Sequence, residues 1–218
     1  MISMDPNAVA IAIKERKTLK VLGDAENPVH FTDAVEQRNR PLVLESLQVA
    51  GWAPFHFDRG EDDLAEPWRA YVLWHQESQK LANNLFKWFP ELDPANKLTR
   101  MMYACGALVL VTWLPQFAQV TEPKPDQVMI DEEHLAASSA MVQNLLLMLT
   151  AHGMGSYWSS GGKLGADHVF EQIGISQKEK LLAAVFVEYP ETLEESKPRV
   201  PGKHRDSRST EWIKELSV

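Results

Sequence analysis

The segment EEHLAASSAMVQNLLLMLTAHGMG, residues 132–155, is the one from which we begin to predict the fold of this chain. Asp131 precedes it, and the acidic residues at its start lie where a helix dipole favours negative charge. Gly153, after the last apolar residues, predicts the end of the helix. Because the middle is apolar or small on nearly every side, the pattern predicts a buried central helix.

Short runs of β-branched and aromatic residues on both sides of this helix predict strands. They are RAYVLW at 69–74, ALVLVTW at 107–113 and AAVFVEY at 183–189. The second run is continuous enough for a strand that is covered on both faces.

Further helices are predicted between these strands. Helical spacing occurs at 7–15, 77–89 and 97–106. Another helix is expected to begin at an Asn39 cap, with Pro41 in its first turn, and to stop at Pro54. Helices that interrupt a few strands predict one α+β or α/β domain, residues 1–218, with its sheet covered by helices.

Length and composition fit a globular protein of 218 residues, with 44% hydrophobic and 24% charged residues. No apolar run approaches the roughly 20 residues that span a bilayer, and the N-terminus does not have the form of a signal peptide. A cytoplasmic location is therefore expected. The net charge of -8 and the pI near 5.4 argue against nucleic acid or membrane as a partner, since both require a basic face.

Cysteine and histidine usage predicts neither a disulfide nor a metal site. The single Cys105 excludes an intramolecular disulfide, and the 7 histidines show no zinc-type spacing. Cys105 lies in the apolar run MMYACGALVLV and is interpreted as a buried thiol rather than a nucleophile. The acids and the histidine at 131–134 have the composition of a metal cluster, but charges favoured at a helix N-terminus explain them better.

One short segment could hold a phosphate. RKTLK, residues 16–20, sets Arg16, Lys17 and Lys20 around the hydroxyl of Thr18, a compact set of donors for charge-assisted hydrogen bonds. Taken alone, the same segment also fits a solvated helix end.

Three other segments carry candidate site residues. In GMGSYWSSGG, residues 153–162, glycines beside Ser159 and Ser160 allow backbone N–H groups to approach a flat or anionic ligand. A glycine-rich turn is the alternative. VAGWAPFHFDRGEDDLAEPWRAYVLW, residues 49–74, has an aromatic pair at one end of a loop, four acids in its middle at 58–63 and a Pro-Trp at the other end. PRVPGKHRDSR, residues 198–208, is rich in basic residues.

Taken in order, these segments resemble the FMN-dependent nitroreductase family. RKTLK is similar to the family's Arg-Arg-Ser-x-Arg motif, which grips the flavin phosphate. AGWAP and EPWRAYVLW match the two ends of its Ala-Pro to Gln-Pro-Trp loop, and MVQNLLLMLTAHGMGSYW is similar to its long buried helix. GMGSYWSSGG looks like the turn beneath the flavin ring, and IGISQKEKLLAAVFVEYPE looks like the helix and strand that follow. The similarity covers most of residues 12–206.

The loop at 55–66 departs from the family pattern. Phe55 and His56 stand where Ser and a polar residue are common, and Glu66 replaces the common Gln. The loop is also several residues longer, with the acids at 61–63 in the insertion. An altered substrate side of the pocket is the consequence we expect.

The resemblance implies an FMN site and no catalytic side chain, because the flavin carries the chemistry. For the phosphate it implies Arg16, Lys17, Thr18 and Lys20, with Lys203 and Arg205 closing over it. Beside the ring it implies Pro54, Phe55, His56, Trp158, Ser159, Ser160 and Gly161. For His56 a loop histidine satisfied by its neighbours, and for Trp158 ordinary core packing, are the alternatives.

The resemblance also implies fold, partner and reaction. The fold is α+β, with a central, mostly antiparallel sheet, and residues 190–218 form a C-terminal extension that packs on the second subunit of a homodimer. Trp212 and Ile213 are candidate anchors. FMN would take hydride from NADH or NADPH and pass electrons to a nitroaromatic, quinone or enone by a ping-pong mechanism. Reductive dehalogenation, flavin consumption, and a non-catalytic flavin binder or a relative without cofactor are the alternatives.

Overall fold

The structure, a computed structural model, describes residues 5–60, 63–194 and 208–216. Its helices are α1 (Pro6–Glu15), α2 (Asp33–Ala50), α3 (His75–Trp88), α4 (Lys97–Met102), α5 (Pro125–Ala151), α6 (Asp167–Ile173) and α7 (Pro190–Glu194). Its strands are β1 (Trp68–Trp74), β2 (Ala107–Trp113), β3 (Gly155–Ser159) and β4 (Lys180–Glu188). A 3₁₀ helix, Gly162–Gly165, follows β3.

The four strands form one antiparallel sheet in the order β1-β2-β4-β3. In this sheet Val109 of β2 lies opposite Val72 of β1 on one side and Val185 of β4 on the other. The α+β class and the antiparallel sheet are therefore confirmed. The strand predicted at 107–113 has the observed bounds of β2.

Helices cover both faces of the sheet, and each face has its own core. Val109 and Val185 pack in one core with residues of α2 and α5, whereas Leu108 and Phe186 pack in the other with residues of α3, α4 and α6. Successive side chains of a strand point to opposite faces, so both sets of β2 residues are buried. The prediction that this strand is covered on both sides is confirmed.

The central helix α5 begins earlier than predicted. Asp131 was expected just before its first turn, but the helix begins at Pro125. Proline suits the first helical position, and the backbone N–H of Lys124 donates to Oε1 of Gln127 at 2.9 Å, one half of a capping box. The predicted end before Gly153 is confirmed, because α5 ends at Ala151.

The length and composition of α5 alone would allow it to span a bilayer. In the described ranges it is the one helix of this kind, with a mean hydropathy of 1.2. Eight of its side chains are buried inside the protein, and Met141, Val142 and Leu145 belong to the core against the sheet. Packing within the protein accounts for the apolar character of this helix.

The start of α2 was also predicted wrongly. Thr32 caps it by accepting a hydrogen bond from the N–H of Val35, so the helix begins at Asp33 rather than after Asn39. Asn39 instead lies inside the helix, where its buried amide donates to the carbonyl of Val35 at 2.9 Å and to Glu191 at 3.0 Å. Asn39 thus makes a tertiary contact instead of capping the helix.

The strand β3 was not predicted, because its residues lie within the glycine-rich segment 153–162. Pairing with β4 overrides the weak local preference for a strand: Tyr157 lies opposite Phe186, and Trp158 lies opposite Val185. The alternative interpretation of this segment as a glycine-rich turn is therefore wrong for residues 155–159, which form a strand.

A buried ion pair fixes the loop between α2 and β1 to the sheet. Nη2 of Arg59, a residue 1% exposed, donates to Oε1 of Glu179 at 2.7 Å. The same carboxylate accepts hydrogen bonds from Tyr71 of β1, at 3.0 Å, and from the hydroxyl of Thr112 of β2. Burial, followed by the charge of Glu179, raises the pKa of Tyr71 to about 12, so its phenol remains a donor at neutral pH.

Further contacts hold the backbone of this loop. The amide of Gln116 donates to the carbonyl oxygens of Asp58 and Arg59 at 2.7 and 2.6 Å. Nε2 of the buried His134 lies 3.1 Å from the carbonyl oxygen of Phe57. The residues just before the insertion are therefore bonded to α5 and to the segments that follow β2 and precede β4.

Replacement of Arg59 by Met should strongly destabilise the protein. It leaves a buried carboxylate without its cation, and loss of one partner of such a pair lowers the free energy of unfolding by about 3–5 kcal/mol. The matched control is Lys80→Met, which breaks an exposed pair with Glu77 at 3.6 Å and should change stability by less than about 1 kcal/mol. Urea unfolding followed by circular dichroism measures both; equal effects would contradict the assigned role of Arg59.

Candidate functional site

A cleft of about 440 Å³ opens beside β3. The residues that line it are Arg16, Thr18, Gln143, Leu146, Ser156, Trp158, Ser160 and Leu182. They come from the segment after α1, from α5, from β3 and its following loop, and from β4. Among these eight, Arg16 is the one charged side chain, so the cleft has a positive end.

Backbone pairing brings the segment after α1 to β3. The N–H of Leu19 donates to the carbonyl oxygen of Ser156 at 3.0 Å, and Thr18 forms a parallel bridge with Ser156. Gly155 allows this approach, because a Cβ there would lie 3.0 Å from side-chain atoms of Leu19 and Leu193. Residues 18–19 therefore lie against the outermost strand.

The alternation of side chains along β3 selects which of its residues line the cleft. Ser156 lies opposite Val187, and Trp158 lies opposite Val185, both in the core beneath α5. Successive side chains point to opposite faces, so Ser156 and Trp158 share the α5 face while Tyr157 points away. Tyr157 packs in the other core.

The structure divides the predicted phosphate residues into two groups. Arg16 and Thr18 line the cleft. Lys17 pairs with Glu15 at 3.4 Å on the surface, and the ammonium of Lys20 lies 4.2 Å from the ring centroid of Tyr157. Lys203 and Arg205 lie outside the described residues.

The glycine-rich segment contributes both side chains and a tight backbone turn. Trp158 and Ser160 line the cleft, and the indole N–H of Trp158 donates to the carbonyl oxygen of Leu182 at 3.4 Å. Ser159 accepts a hydrogen bond from the N–H of Gly161 at 3.2 Å. Gly161 has φ +84°, and a Cβ there would lie 2.3 Å from a methyl carbon of Leu181.

The predicted residues of the long loop lie at a second cavity of the same chain. This cavity, of about 340 Å³, is lined by Pro54, Phe55, His56, Glu133, Ala136, Ala137 and Ala140. Nδ1 of His56 is 2.9 Å from the carboxylate of Glu133, and the ring of Phe55 meets Trp68 edge-on at 5.6 Å. Neither Arg16 nor Thr18 lines this cavity.

Four residues of the cleft were missed by the sequence predictions. They are Gln143, Leu146, Ser156 and Leu182. Gln143 and Leu146 are three residues apart on α5 and so share a helix face, a signal that was present in the sequence. Ser156 gave no signal without β3, yet its side-chain oxygen is buried and has no hydrogen-bond partner among the described residues.

The acidic cluster and the cysteine have structural contacts. Asp131 accepts hydrogen bonds from the backbone N–H groups of Gln116 and Phe117 at 2.7 and 3.3 Å. In the described ranges, no group of three His, Cys, Asp or Glu residues could hold a metal ion. Cys105 is fully buried and burial raises its pKa, which confirms a protonated core thiol.

Fold and cleft together define an α+β protein with a cationic groove beside its outermost strand. A model of the nitroreductase family matches residues 40–187, and the chain belongs to that family. The resemblance seen in the sequence motifs is thereby confirmed.

Individual relatives agree with this family. YfhC of Bacillus subtilis (strain 168), which carries the name of an NAD(P)H nitroreductase, is 27% identical over 168 residues, 75% of this chain and 80% of its own. A nitroreductase-like family protein from Bacillus cereus has a TM-score of 0.67, at 22% identity and with 100% of both chains covered. A nitroreductase with bound FMN from Bacteroides fragilis NCTC 9343 has a TM-score of 0.59, at 15% identity, with 98% of this chain and 100% of its own covered. The two solved structures show that the fold is shared.

Replacement of Gly161 by Ala should destabilise the protein more than replacement of Gly153 by Ala. Both glycines have positive φ, +84° and +73°, but a Cβ at Gly153 would meet nothing within 4 Å. The shared left-handed conformation costs about 1–2 kcal/mol in each variant, and the contact with Leu181 adds about 1–3 kcal/mol at Gly161 only. Urea denaturation compares the two variants; equal losses would show that the turn relaxes without strain.

Proposed function

We propose that this protein is an FMN-dependent oxidoreductase that uses NADH or NADPH to reduce an electron-poor small molecule. The observation that carries the proposal is the cleft, in which the guanidinium of Arg16 meets the hydroxyl residues Thr18, Ser156 and Ser160 in a chain of the nitroreductase family. The name of YfhC supports the nicotinamide donor, and the FMN bound to the Bacteroides fragilis protein supports the cofactor.

The residues of the cleft fit a flavin mononucleotide. The guanidinium of Arg16 and the hydroxyl of Thr18 offer charge-assisted and neutral donors for a phosphate at one end. Ser160 lines the same cleft, and the turn at 159–161 is proposed to lie beside the flat ring. Lys203 and Arg205 are proposed to complete the phosphate site.

Bound FMN would supply the carrier that accepts hydride from the nicotinamide and passes two electrons to the acceptor. The protein's own residues bind and orient. Arg16 would fix the anionic end, and Ser160, in the wall of the cleft, is proposed to donate near the ring, where a donor stabilises developing negative charge. Trp158, packed against the core, limits the entry of water.

The second cavity is proposed to face the flavin of another subunit. Pro54, Phe55 and His56 line a cavity distinct from the cleft of their own chain, so their contact with a flavin requires a second copy. The acceptor, a nitroaromatic, quinone or enone, is proposed to bind between them and the ring, and the pair of His56 with Glu133 gives this wall a polar edge.

Exposed apolar side chains are available for such a dimer. On α1, Ile11 and Ile13 are 60% and 50% exposed, and near the C-terminus Trp212 and Leu216 are 76% and 91% exposed. Burial of such surface is the usual driving force of association. Glu191, bonded to Asn39 and to Arg38 at 3.0 Å, fixes the point from which the proposed extension at 190–218 departs.

The first test is the visible absorption spectrum of the purified protein, supplied with FMN. Flavin bands that bleach on anaerobic addition of NADPH or NADH are expected, and a colourless protein that does not bind FMN would refute the proposal.

Arg16→Ala should lower FMN affinity about tenfold or more through loss of a charge-assisted hydrogen bond. Lys17→Ala, which removes a charge paired with Glu15 at the surface, is the control with a smaller effect. Unchanged affinity of the Arg16 variant at moderate salt would refute its phosphate role.

Truncation after Glu191 should weaken the proposed dimer. The shortened chain keeps the contacts of Glu191 with α2 but loses the apolar side chains of Trp212 and Ile213. Sedimentation velocity over a concentration series should show dissociation at higher concentrations than for the full chain. A full-length variant with Trp212→Ser and Ile213→Ser should show the same trend. A truncated chain that sediments as an equally stable dimer would contradict the exchange of the extension.

A further inference from the structure

The hydroxyl of Ser156 is an exception among the buried hydroxyl groups of the described residues. Ser156 is 2% exposed, and its Oγ has no hydrogen-bond partner. Most other buried hydroxyls are bonded: Ser78, for example, donates to the carbonyl oxygen of Met102 at 3.1 Å, and Thr99 donates to that of Asn96 at 3.0 Å. Buried polar groups in native proteins are nearly always paired, so an unpaired one requires an explanation.

Position separates Ser156 from the other unpaired hydroxyls. Ser138 and Thr192 are also buried without a partner, but neither lines the cleft. Ser156 does line it, on the face of β3 that also carries Trp158. Of these three residues with an unpaired hydroxyl, Ser156 is the one that belongs to the lining of the cleft, together with Arg16.

The neighbours of Ser156 indicate which part of a ligand it would meet. Its backbone is bridged to Thr18 and bonded to Leu19, so it lies beside the segment that carries Arg16 into the cleft. The part of a ligand that Arg16 and Thr18 hold is therefore the part that would lie beside Ser156.

We propose that the Ser156 hydroxyl donates a hydrogen bond to the phosphate of bound FMN, together with Arg16 and Thr18. This inference rests on the proposed FMN site. It assigns the unpaired hydroxyl to a partner that arrives with the ligand, since a phosphate oxygen is a strong acceptor.

The assignment predicts opposite effects on the empty and the loaded protein. In Ser156→Ala the apoprotein loses only an unpaired buried hydroxyl, so its Tm should be equal to or higher than that of the wild type. FMN affinity should fall about tenfold or more, because a hydrogen bond to a charged acceptor is lost. Riboflavin, which has no phosphate, should bind as it does to the wild type.

The experiment measures the Kd of FMN and of riboflavin by quenching of flavin fluorescence, together with the Tm of each apoprotein. Ser138→Ala is the matched control, because it removes another buried, unpaired hydroxyl away from the cleft. It should leave both affinities unchanged. The combination of lower FMN affinity, unchanged riboflavin affinity and undiminished apoprotein Tm in Ser156→Ala supports the proposal.

Every other result overturns it. Unchanged FMN affinity in Ser156→Ala shows that the hydroxyl makes no bond to the ligand. Equal weakening of FMN and riboflavin, or a lower apoprotein Tm, shows that the residue shapes the pocket rather than binding the phosphate. If the wild type itself binds no FMN, the proposed function fails with this inference, whereas a wild type that binds FMN beside an unaffected variant refutes the inference alone.

Discussion

The pairing of β3 with β4 is the interaction on which the cleft depends. It directs Ser156 and Trp158 toward α5 and leaves the outer edge of β3 free to bind the backbone of residues 18–19. Without it Arg16 would be one cation at the end of a surface helix. The partner strand β4 is itself held in place because helices cover both faces of the sheet. The cationic groove is thus positioned by the hydrophobic burial of the adjacent strand β4 and by the register of β3 on β4. A shift of this register by one residue would turn Ser156 and Trp158 to the other face.

Polar groups are treated differently at the two ends of the sheet. Immediately before β4, the carboxylate of Glu179 accepts hydrogen bonds from Arg59, Tyr71 and Thr112. The buried charge is therefore paired, and the loop that follows α2 is bonded to the sheet. On β3, the hydroxyl of Ser156 has no partner. An unpaired buried group lowers stability unless a ligand satisfies it. The buried charge before β4 is therefore paired within the protein, whereas the unpaired hydroxyl on β3 is proposed to be satisfied by the ligand.

Local sequence signals predicted the elements that local forces determine. The continuous apolar run at 107–113 gave the bounds of β2, because its short length and its β-branched residues favour a strand over a buried helix. Asn39 misled the prediction of α2, since its capping side chain is used for a contact with Glu191, 152 positions away. The strand β3 was missed because it is five residues long and includes Gly155 and two serines inside a glycine-rich segment, and pairing with β4 makes it a strand. The same distinction between local and long-range signals applies to the cleft. Arg16 and Thr18 were predicted from a local motif, whereas Ser156 could not be predicted without the sheet. Lys17 and Lys20 belong to the same motif, but they contact Glu15 and Tyr157 instead.

The helix α5 connects the two cavities. Ala136 and Ala140 line the cavity of the loop, and Gln143 lines the cleft of β3. These three residues are spaced at i, i+4 and i+7, so they lie on one face of the helix over about 10 Å along its axis. That face carries small or polar side chains, which would allow a second copy to approach closely without a large apolar barrier. In the proposed dimer, the loop between α2 and β1 of one chain, anchored by the pair of Arg59 with Glu179, would then meet the cleft beside β3 of the other chain across this face. An acceptor pocket shared between two subunits retains its shape only if both of its walls are fixed. The proposed interface would therefore combine the long loop, its buried ion pair and the small residues of α5.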